Sequence, residues 1–245
     1  MLFRSDRLIA AGAPPEKIRV HRMGVDLTEL AFVPKPSERP LREILHVGRL
    51  VEKKGTATLL RAFARLLAER PERGFRLTII GTGPLQDELD AEVARLGIGE
   101  AVSWLGGQPH EAVLRQLRQS DMFVLPSVTA ADGDMEGVPV ALMEAMATGV
   151  PVVSTRHSGI PELVRHEENG LLAAERDEVD LSAQMLRMAD EPDQRRTMVL
   201  RARETVERRF DKRKLHDELL GLVNGLVRDN AAARSAVPAL ATGSA

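Results

Sequence analysis

Short apolar runs alternate with longer amphipathic stretches between Leu41 and about Asp177. Most of these runs are apolar throughout rather than alternating, which is typical of strands that are covered on both faces. The pattern predicts strands at Glu43–Val47, Phe75–Ile80, Val102–Leu105, Met122–Leu125 and Val150–Ser154, with a weaker pattern at Gly170–Ala173.

The stretches between the strands have helical periodicity, with apolar residues three and four positions apart. Two examples are the stripe from Leu59 to Leu67 and the stripe from Leu85 to Leu96. Because strands and helices alternate along the chain, we expect an α/β domain with a parallel sheet and helices on both faces.

The two ends of the chain differ from this central pattern. After Asp177 we predict three helices, at Val179–Ala189, at Asp193–Arg209 and around the apolar stripe from Leu215 to Val227. Before Leu41 we predict a short helix near Arg4–Ala11, a strand near Ile18–His21 and a linker at Pro34-Lys35-Pro36. The predicted units are therefore residues 1–40, 41–190, 191–229 and a disordered tail at 230–245, since residues 231–245 are small and have no periodic apolar face.

Composition excludes several classes of protein. The chain has 245 residues and a net charge of −2, so it offers no overall field for nucleic acid or an anionic membrane. It has no cysteine, no tyrosine and one tryptophan, which excludes disulfides and thiolate-bound metals and leaves few aromatic platforms for single-stranded nucleic acid. No apolar run approaches the length of a membrane span, and we expect a cytoplasmic protein.

Two glutamates flank a predicted helix start in the stretch from Asp134 to Gly149. Pro139 suits the first turn of a helix, so the helix is expected to begin near it. The N–H groups at such a start favour an anion, here most simply a phosphate. Glu144 would lie more than a turn inside the helix, where it can accept hydrogen bonds from sugar hydroxyls, and Glu136 would lie on the preceding loop.

A second group of charges follows the first strand of the sheet. Arg49 comes directly after that strand, and Lys54 precedes Gly55 at the start of the next helix. Ligands of open parallel sheets bind outside the carboxyl ends of the strands, and two cations there can neutralise a diphosphate. Taken alone, Arg49 and Lys54 could equally be a solvated basic loop. The less favoured alternative for the two glutamates is an acidic helix start followed by an exposed helical Glu.

Together, in this order, the motifs resemble the donor-binding half of the retaining glycosyltransferases of family 4, which have the GT-B fold. The matching motifs are Val47-Gly48-Arg49 with Lys54-Gly55, Ile80-Gly81-Thr82-Gly83-Pro84, Pro126-Ser127, Glu136 to Glu144, Gly149-Val150-Pro151-Val152-Val153 and Asn169-Gly170-Leu171. The resemblance implies one GT-B half, a Rossmann-like parallel six-stranded sheet with helices on both faces, followed by C-terminal helices. The run from Asp134 to Pro139 is also similar to members that build bacterial exopolysaccharides.

The resemblance also implies roles for particular residues. Arg49 and Lys54 match the pair that grips the donor diphosphate, Glu136 matches the carboxylate that contacts the transferred hexosyl group, and Glu144 matches the one that binds the ribose. We therefore expect Arg49, Lys54 and Glu136 to be catalytic. The donor-binding set would be Gly48, Arg49, Lys54, Glu136, Gly137, Val138 and Glu144. In such enzymes the leaving phosphate accepts the proton of the acceptor, so no general base is required from this half.

Three other interpretations are weaker. Asp132-Gly133-Asp134 has the spacing of a metal-binding pair, but GT-B enzymes neutralise the diphosphate with Arg and Lys, so we expect neither a metal nor another cofactor. Gly81-Thr82-Gly83-Pro84 lacks the third glycine of a dinucleotide-binding loop, which disfavours a nicotinamide-dependent oxidoreductase. The six histidines show no metal-ligand spacing and are expected to be structural or exposed.

Relatives in this family have two Rossmann-like domains, and residues 1–40 match only a remnant of the first, acceptor-binding domain. We therefore expect this polypeptide alone to be weakly active or inactive, as a truncated enzyme, as one part of a split enzyme, or as a non-catalytic nucleotide-sugar binding module. The expected partners are a nucleotide sugar and a glycan or lipid-linked acceptor, with no nucleic acid. The C-terminal helices would pack on a partner domain or self-associate, and peripheral membrane association is compatible with the sequence.

Overall fold

A computed structural model describes residues 3–36 and 38–235, and it shows an α/β domain. Within these residues six strands form one sheet, and every pair of neighbouring strands is parallel. The strands are β1 (Glu43–Val47), β2 (Arg76–Ile80), β3 (Val102–Trp104), β4 (Met122–Leu125), β5 (Val152–Thr155) and β6 (Leu171–Ala173). The prediction of a parallel six-stranded sheet is confirmed, and each of the six strands predicted between Glu43 and Ala173 overlaps an observed one.

Eight α-helices accompany the sheet in the described part of the chain. They are α1 (Phe3–Ala10), α2 (Thr56–Glu69), α3 (Gln86–Leu96), α4 (His110–Gln119), α5 (Val140–Thr148), α6 (Glu178–Asp190), α7 (Pro192–Arg209) and α8 (Lys212–Ser235). Pro139 is the N-cap of α5 and Gly149 is its left-handed C-cap, so the predicted start near Pro139 is confirmed.

The order of the strands indicates where a ligand would bind. The sheet runs β3-β2-β1-β4-β5-β6, so the chain turns back between β1 and β4, where Ile44 is in register with Met122. In open α/β sheets the crevice at such a reversal, outside the carboxyl ends of the strands, is where ligands bind. The loops after β1 and β4 carry Arg49, Lys54 and Glu136, and thus meet at this crevice.

Each face of the sheet has its own apolar core because successive side chains of a strand point to opposite faces. Ile44 packs with Leu59 of α2 and Leu181 of α6 on one face. Leu45 packs with Leu142 of α5 and Val206 of α7 on the other. Both faces are thus covered, which explains why the strands read as uniformly apolar.

The segments before β1 and after α6 join the second core. Val25 and Leu30 pack in the same cluster as Val206 and Phe210 of the α7 region. The backbone N–H of Val25 donates to the carbonyl oxygen of Phe210, and Lys212 N–H donates to the carbonyl of Val25. The unit boundaries at residues 40 and 190 do not coincide with a gap in the packing, and they stay predictions.

Three expectations about the ends of the chain need comment. The strand predicted near Ile18–His21 is wrong, because this segment pairs with no strand among the described residues. The disordered tail at 230–245 stays a prediction, and α8 continues to Ser235 at its beginning. Ala231, Ala232 and Ala233 are strong helix formers, which favours this extension. Residues 236–245 lie outside the described residues.

Among the described residues, no helix is both long and apolar enough to span a membrane.

Candidate functional site

The loop after β1 holds Lys54 against the loop after β4. A single turn of 3-10 helix, Glu52–Lys54, ends at the left-handed Gly55, from which α2 starts. Nζ of Lys54 lies 3.0 Å from Oε1 of Glu136, and both side chains are largely buried. The sequence places these two residues 82 positions apart, so only the folded chain brings the cation and the carboxylate together.

The neighbouring cation, Lys53, binds the same acidic loop. Its Nζ lies 2.9 Å from Oδ2 of Asp134 and 3.9 Å from Oε1 of Glu136. The ammonium of Lys53 holds the pKa of Asp134 below its usual range, and the charge of Arg49 lowers that pKa further. Arg49 is exposed and has no ion pair in the described part of the chain, so its guanidinium stays accessible to an anion.

Glu52 and Arg176 secure the beginning of the acidic loop. Glu52 accepts hydrogen bonds from the backbone N–H of Ala131 (2.8 Å) and from Nη2 of Arg176 (2.7 Å), which lower the pKa of Glu52. The same Arg176 nitrogen donates to the carbonyl of Thr129. The loop before α5 is thus anchored to the loops that follow β1 and β6.

A buried histidine positions the backbone of Glu136. The N–H of Glu136 donates to Nε2 of His157 (3.1 Å), and the hydroxyl of Ser158 donates to the carbonyl of Glu136 (2.6 Å). Because Nε2 accepts, the ring proton is assigned to Nδ1, which donates to Oε1 of Glu175 (2.8 Å). His157 is fully buried. The backbone N–H of Thr129 donates to Oε2 of Glu175.

Glu175 is charged in this arrangement. Burial raises the pKa of its carboxyl, but the hydrogen bonds from Thr129 and His157 outweigh that effect, and the pKa lies below its usual range. A carboxylate that holds both the imidazole and the start of the loop fixes the position of Glu136.

Glu144 lies in the middle of α5, as the sequence predicts, and is 8% exposed. Its Oε1 is 2.8 Å from Nε2 of His110, the first residue of α4. Gly137 and Val138 lie between Glu136 and the start of α5, and the N-cap Pro139 offers no side chain to cap the first turn. The N–H groups of that turn therefore have no side-chain cap at Pro139 that competes with a ligand.

Two glycine-rich turns fix the shape of this edge. Gly81 has a φ of +146°, and a Cβ there would lie 1.9 Å from the carbonyl oxygen of Gly48. A Cβ at Gly83 would lie 2.4 Å from the carbonyl oxygen of Leu50. The Gly81-Thr82-Gly83-Pro84 turn thus packs directly on the Gly48–Leu50 backbone and supports Arg49, and its glycines serve close packing.

The remaining candidates are placed as follows. Asp134 N–H donates to Oδ1 of Asp132, which forms a local turn, while the Asp134 carboxylate pairs with Lys53. No group of three metal-binding side chains occurs among the described residues. Sequence reasoning singled out neither His110 nor His157, although both contact the candidate glutamates. Neither histidine lies in a recognisable motif, so no local signal could have found them.

Two cavities border the sheet at different ends. One of about 320 Å³ adjoins the candidate site and is lined by Gly137, Val138, Ser158 and the segment Val20–Met23. Another, of about 450 Å³, is lined by Leu41, Asp121 and Pro151, which precede β1, β4 and β5. The larger cavity therefore lies at the opposite edge of the sheet. We place the candidate site where the charged side chains converge rather than at the larger volume.

The fold has close counterparts among solved structures. Anabaena HepE, solved in complex with UDP and glucose, superimposes with a TM-score of 0.76 at 24% identity, covering 90% of this chain and 60% of that one. The C-terminal domain of LpcC, a glycosyl transferase group 1 family protein from Francisella tularensis, gives a TM-score of 0.64 at 19% identity. That match covers 77% of this chain and 99% of the LpcC domain.

Sequence comparison is more specific. AmsK of Erwinia amylovora, named as an amylovoran biosynthesis glycosyltransferase, is 43% identical over 221 residues, which is 90% of this chain and 54% of AmsK. WcaL of Escherichia coli K12, which carries a name in colanic acid biosynthesis, is 44% identical over 225 residues, again 90% and 54% of the two chains. The chain thus spans about half the length of these relatives. The family Glycosyl transferases group 1 matches residues 30–205, and the chain belongs to this family.

Proposed function

We propose that this chain is the donor-binding part of a retaining glycosyltransferase of exopolysaccharide synthesis. It would bind a nucleoside-diphosphate sugar whose hexosyl group is transferred to a glycan or lipid-linked acceptor. The observation that carries the proposal is the 3.0 Å contact of Lys54 with Glu136 at the reversal point of the sheet, beside the accessible Arg49. Membership of the family and the names of the relatives support it.

The geometry suggests how the donor would be held. Lys54 and Arg49 would bind the diphosphate and stabilise the charge that grows on it as the glycosidic bond breaks. In the structure Glu136 neutralises Lys54. A bound diphosphate would compete for Lys54 and release the Glu136 carboxylate to accept hydrogen bonds from the sugar. Glu144 would accept hydrogen bonds from the ribose, and the leaving phosphate would take the proton of the acceptor hydroxyl.

Binding and transfer are separate properties of the 245-residue polypeptide. We propose that it binds donor well but transfers sugar slowly, because in two-domain members of the family the acceptor is oriented by the other domain. Such positioning lowers barriers by roughly 7–11 kcal/mol. A binding module without transfer activity, or one part of a split enzyme, would share the donor site and differ only in this respect.

Calorimetric titration tests the donor site directly. The ligands are UDP, GDP and ADP together with UDP-glucose, GDP-mannose and ADP-glucose. Lys54→Ala should weaken every ligand that binds by about 10- to 100-fold, since all share the diphosphate that a charge-assisted contact holds. Glu136→Gln should weaken the sugar nucleotides while leaving the bare diphosphates nearly unchanged, because only the former present hexosyl hydroxyls.

Lys17→Ala is the control for loss of one exposed lysine, since Lys17 lies in a turn before the sheet. It should bind like the parent. Equal losses of both ligand classes in the Glu136 variant would contradict its assigned role. Absence of binding to every nucleoside diphosphate would contradict the proposal as a whole.

A further inference from the structure

Glu144 lies in a buried stretch of α5. It is 8% exposed, and its neighbours in α5 include Met143, Ala145 and Met146, which are fully buried. Burial of an ionised carboxylate is unfavourable unless the carboxylate has a partner. In the described part of the chain its only side-chain partner is His110.

His110 contacts only one of the two carboxylate oxygens of Glu144. Nε2 of His110 is 2.8 Å from Oε1, and no hydrogen bond reaches Oε2 from any described residue. Solvent reaches Oε2 of Glu144. Glu144 thus presents one immobilised and one accessible oxygen at the carboxyl edge of the sheet.

His110 is placed to hold this arrangement rather than to fill the core. It is the first residue of α4, directly after the N-cap Pro109, and α4 packs against α5. Its side chain is 56% exposed, so the ring borders solvent while Nε2 reaches inward to Glu144. Since a carboxylate only accepts, Nε2 carries the proton of this hydrogen bond. A single hydrogen bond from a helix terminus therefore holds one carboxylate oxygen of Glu144.

We propose that His110 is a positioning residue for the nucleoside part of the donor. It fixes Glu144 so that Oε2 accepts a hydrogen bond from a ribose hydroxyl. This inference rests on the proposed function, because it concerns the same donor site. It assigns to His110, rather than to Glu144 alone, the preference for a ribose that carries its 2′ and 3′ hydroxyls.

Two substitutions separate positioning from general support of the fold. His110→Gln places an amide nitrogen near the position of Nε2 and can still donate to Glu144. His110→Asn places its amide near the position of Nδ1 and cannot reach Glu144. His216→Asn is the matched control, since His216 is exposed on α8. Glu144→Gln and the double variant His110→Asn with Glu144→Gln complete the set.

The measurement is calorimetric, with three probes for each variant. They are whichever of UDP, GDP and ADP binds the parent most tightly, its 2′,3′-dideoxy counterpart, and inorganic pyrophosphate. The parent should prefer the ribose form by about 10-fold or more, as expected for a hydrogen bond to a charged group. His110→Asn should remove most of that preference, and His110→Gln and His216→Asn should keep it. The double variant should be no worse than Glu144→Gln, and pyrophosphate should bind all variants alike.

Each other outcome overturns the inference. An unchanged ribose preference in His110→Asn would show that Glu144 needs no positioning. A parallel loss of pyrophosphate affinity would show that His110 merely supports the fold. If the parent binds pyrophosphate or nucleoside diphosphates without any ribose preference, this inference fails while the diphosphate site stands. If the parent binds none of the probes, the proposed function fails with it.

Discussion

Charged side chains at the carboxyl edge of the sheet neutralise one another. Lys54 binds Glu136, Lys53 binds Asp134, and Glu52 binds Arg176. These pairs hold the acidic loop against the loop after β1. At the proposed donor site, a diphosphate would meet charges that are already placed and would exchange one ion pair for another. Such preorganisation keeps the cost of rearranging the site low when the donor binds.

His46 has a purely structural role and gives the domain a pH-dependent stability. Its ring is fully buried in β1, where Nδ1 donates to the carbonyl of Val124 and Nε2 accepts from the hydroxyl of Thr56. Burial lowers the pKa of His46 to about 4, from an ordinary value of 6.5.

The sign of the pH effect follows from this lowered pKa. Between pH 6.5 and 4 the unfolded chain binds a proton at His46 and the folded chain does not, so the folded state loses stability as the pH falls. The limiting slope for one such group is about 1.4 kcal/mol per pH unit. His46→Asn should remove this contribution, and urea unfolding at several pH values should show a shallower slope than in the parent.

His216→Asn provides the matched substitution at an exposed histidine, and its slope should equal that of the parent. Carboxylates such as Asp121 and Glu175 also have lowered pKa values and add to the slope of every variant. Only the difference in slope between the His46 variant and the parent therefore tests the role of His46. Parallel slopes for the His46 variant and the parent would contradict the assignment.

At the scale of elements, the turn between β1 and α2 lies directly against the end of β4. Gly55 has φ +67° and ψ +20°, and a Cβ built on it would lie 1.8 Å from the carbonyl oxygen of Pro126. This close approach brings the residue before it, Lys54, next to the loop that carries Glu136. The turn thus requires glycine for both its backbone angles and its packing.

A matched glycine separates these two requirements. Gly97 ends α3 with φ +68° and ψ +26°, and its Cβ would meet no atom within 4 Å. Alanine at either position should cost about 1 kcal/mol for the left-handed backbone. Gly55→Ala should lose about 1–3 kcal/mol more, because the turn must move away from Pro126. Urea denaturation measures both, and equal losses would show that the close contact relaxes without cost.

At the scale of the whole molecule, the last helix is the least supported part. Leu215 of α8 is buried, whereas the apolar residues further along are 40–63% exposed. They are Leu219, Leu220, Leu222, Val223, Leu226 and Val227. Their spacing places most of them along one side of the helix, which forms an apolar stripe with no partner among the described residues.

We expect this stripe to drive self-association of the polypeptide. The double substitution Leu222→Glu with Leu226→Glu should abolish a concentration-dependent increase in sedimentation coefficient. Asn224→Glu introduces a charge at an exposed polar position of the same helix and should leave the association intact. A parent that sediments as a monomer at all concentrations would contradict the expectation. Point substitutions are preferable to deletion of α8, because Leu215 and the backbone of Lys212 belong to the folded domain.

The sequence by itself determined the elements and most of the candidate site. The spacing of apolar residues within a short stretch shows which residues are buried. The strands, the central helices and the start of α5 were therefore predictable. The family motifs singled out Arg49, Lys54, Glu136 and Glu144, since these motifs lie at strand ends and around a helix start that the local pattern marks.

Only the tertiary structure decided which distant residues meet. His110 lies 34 positions from Glu144, and His157 lies 21 positions from Glu136, with no periodic pattern linking the members of either pair. The segment Ile18–His21 has the composition of a strand but lacks a neighbour, and a strand exists only through hydrogen bonds to a second one. The periodicity of apolar residues is visible in a short stretch of sequence. Contacts between distant segments depend instead on how the whole chain folds.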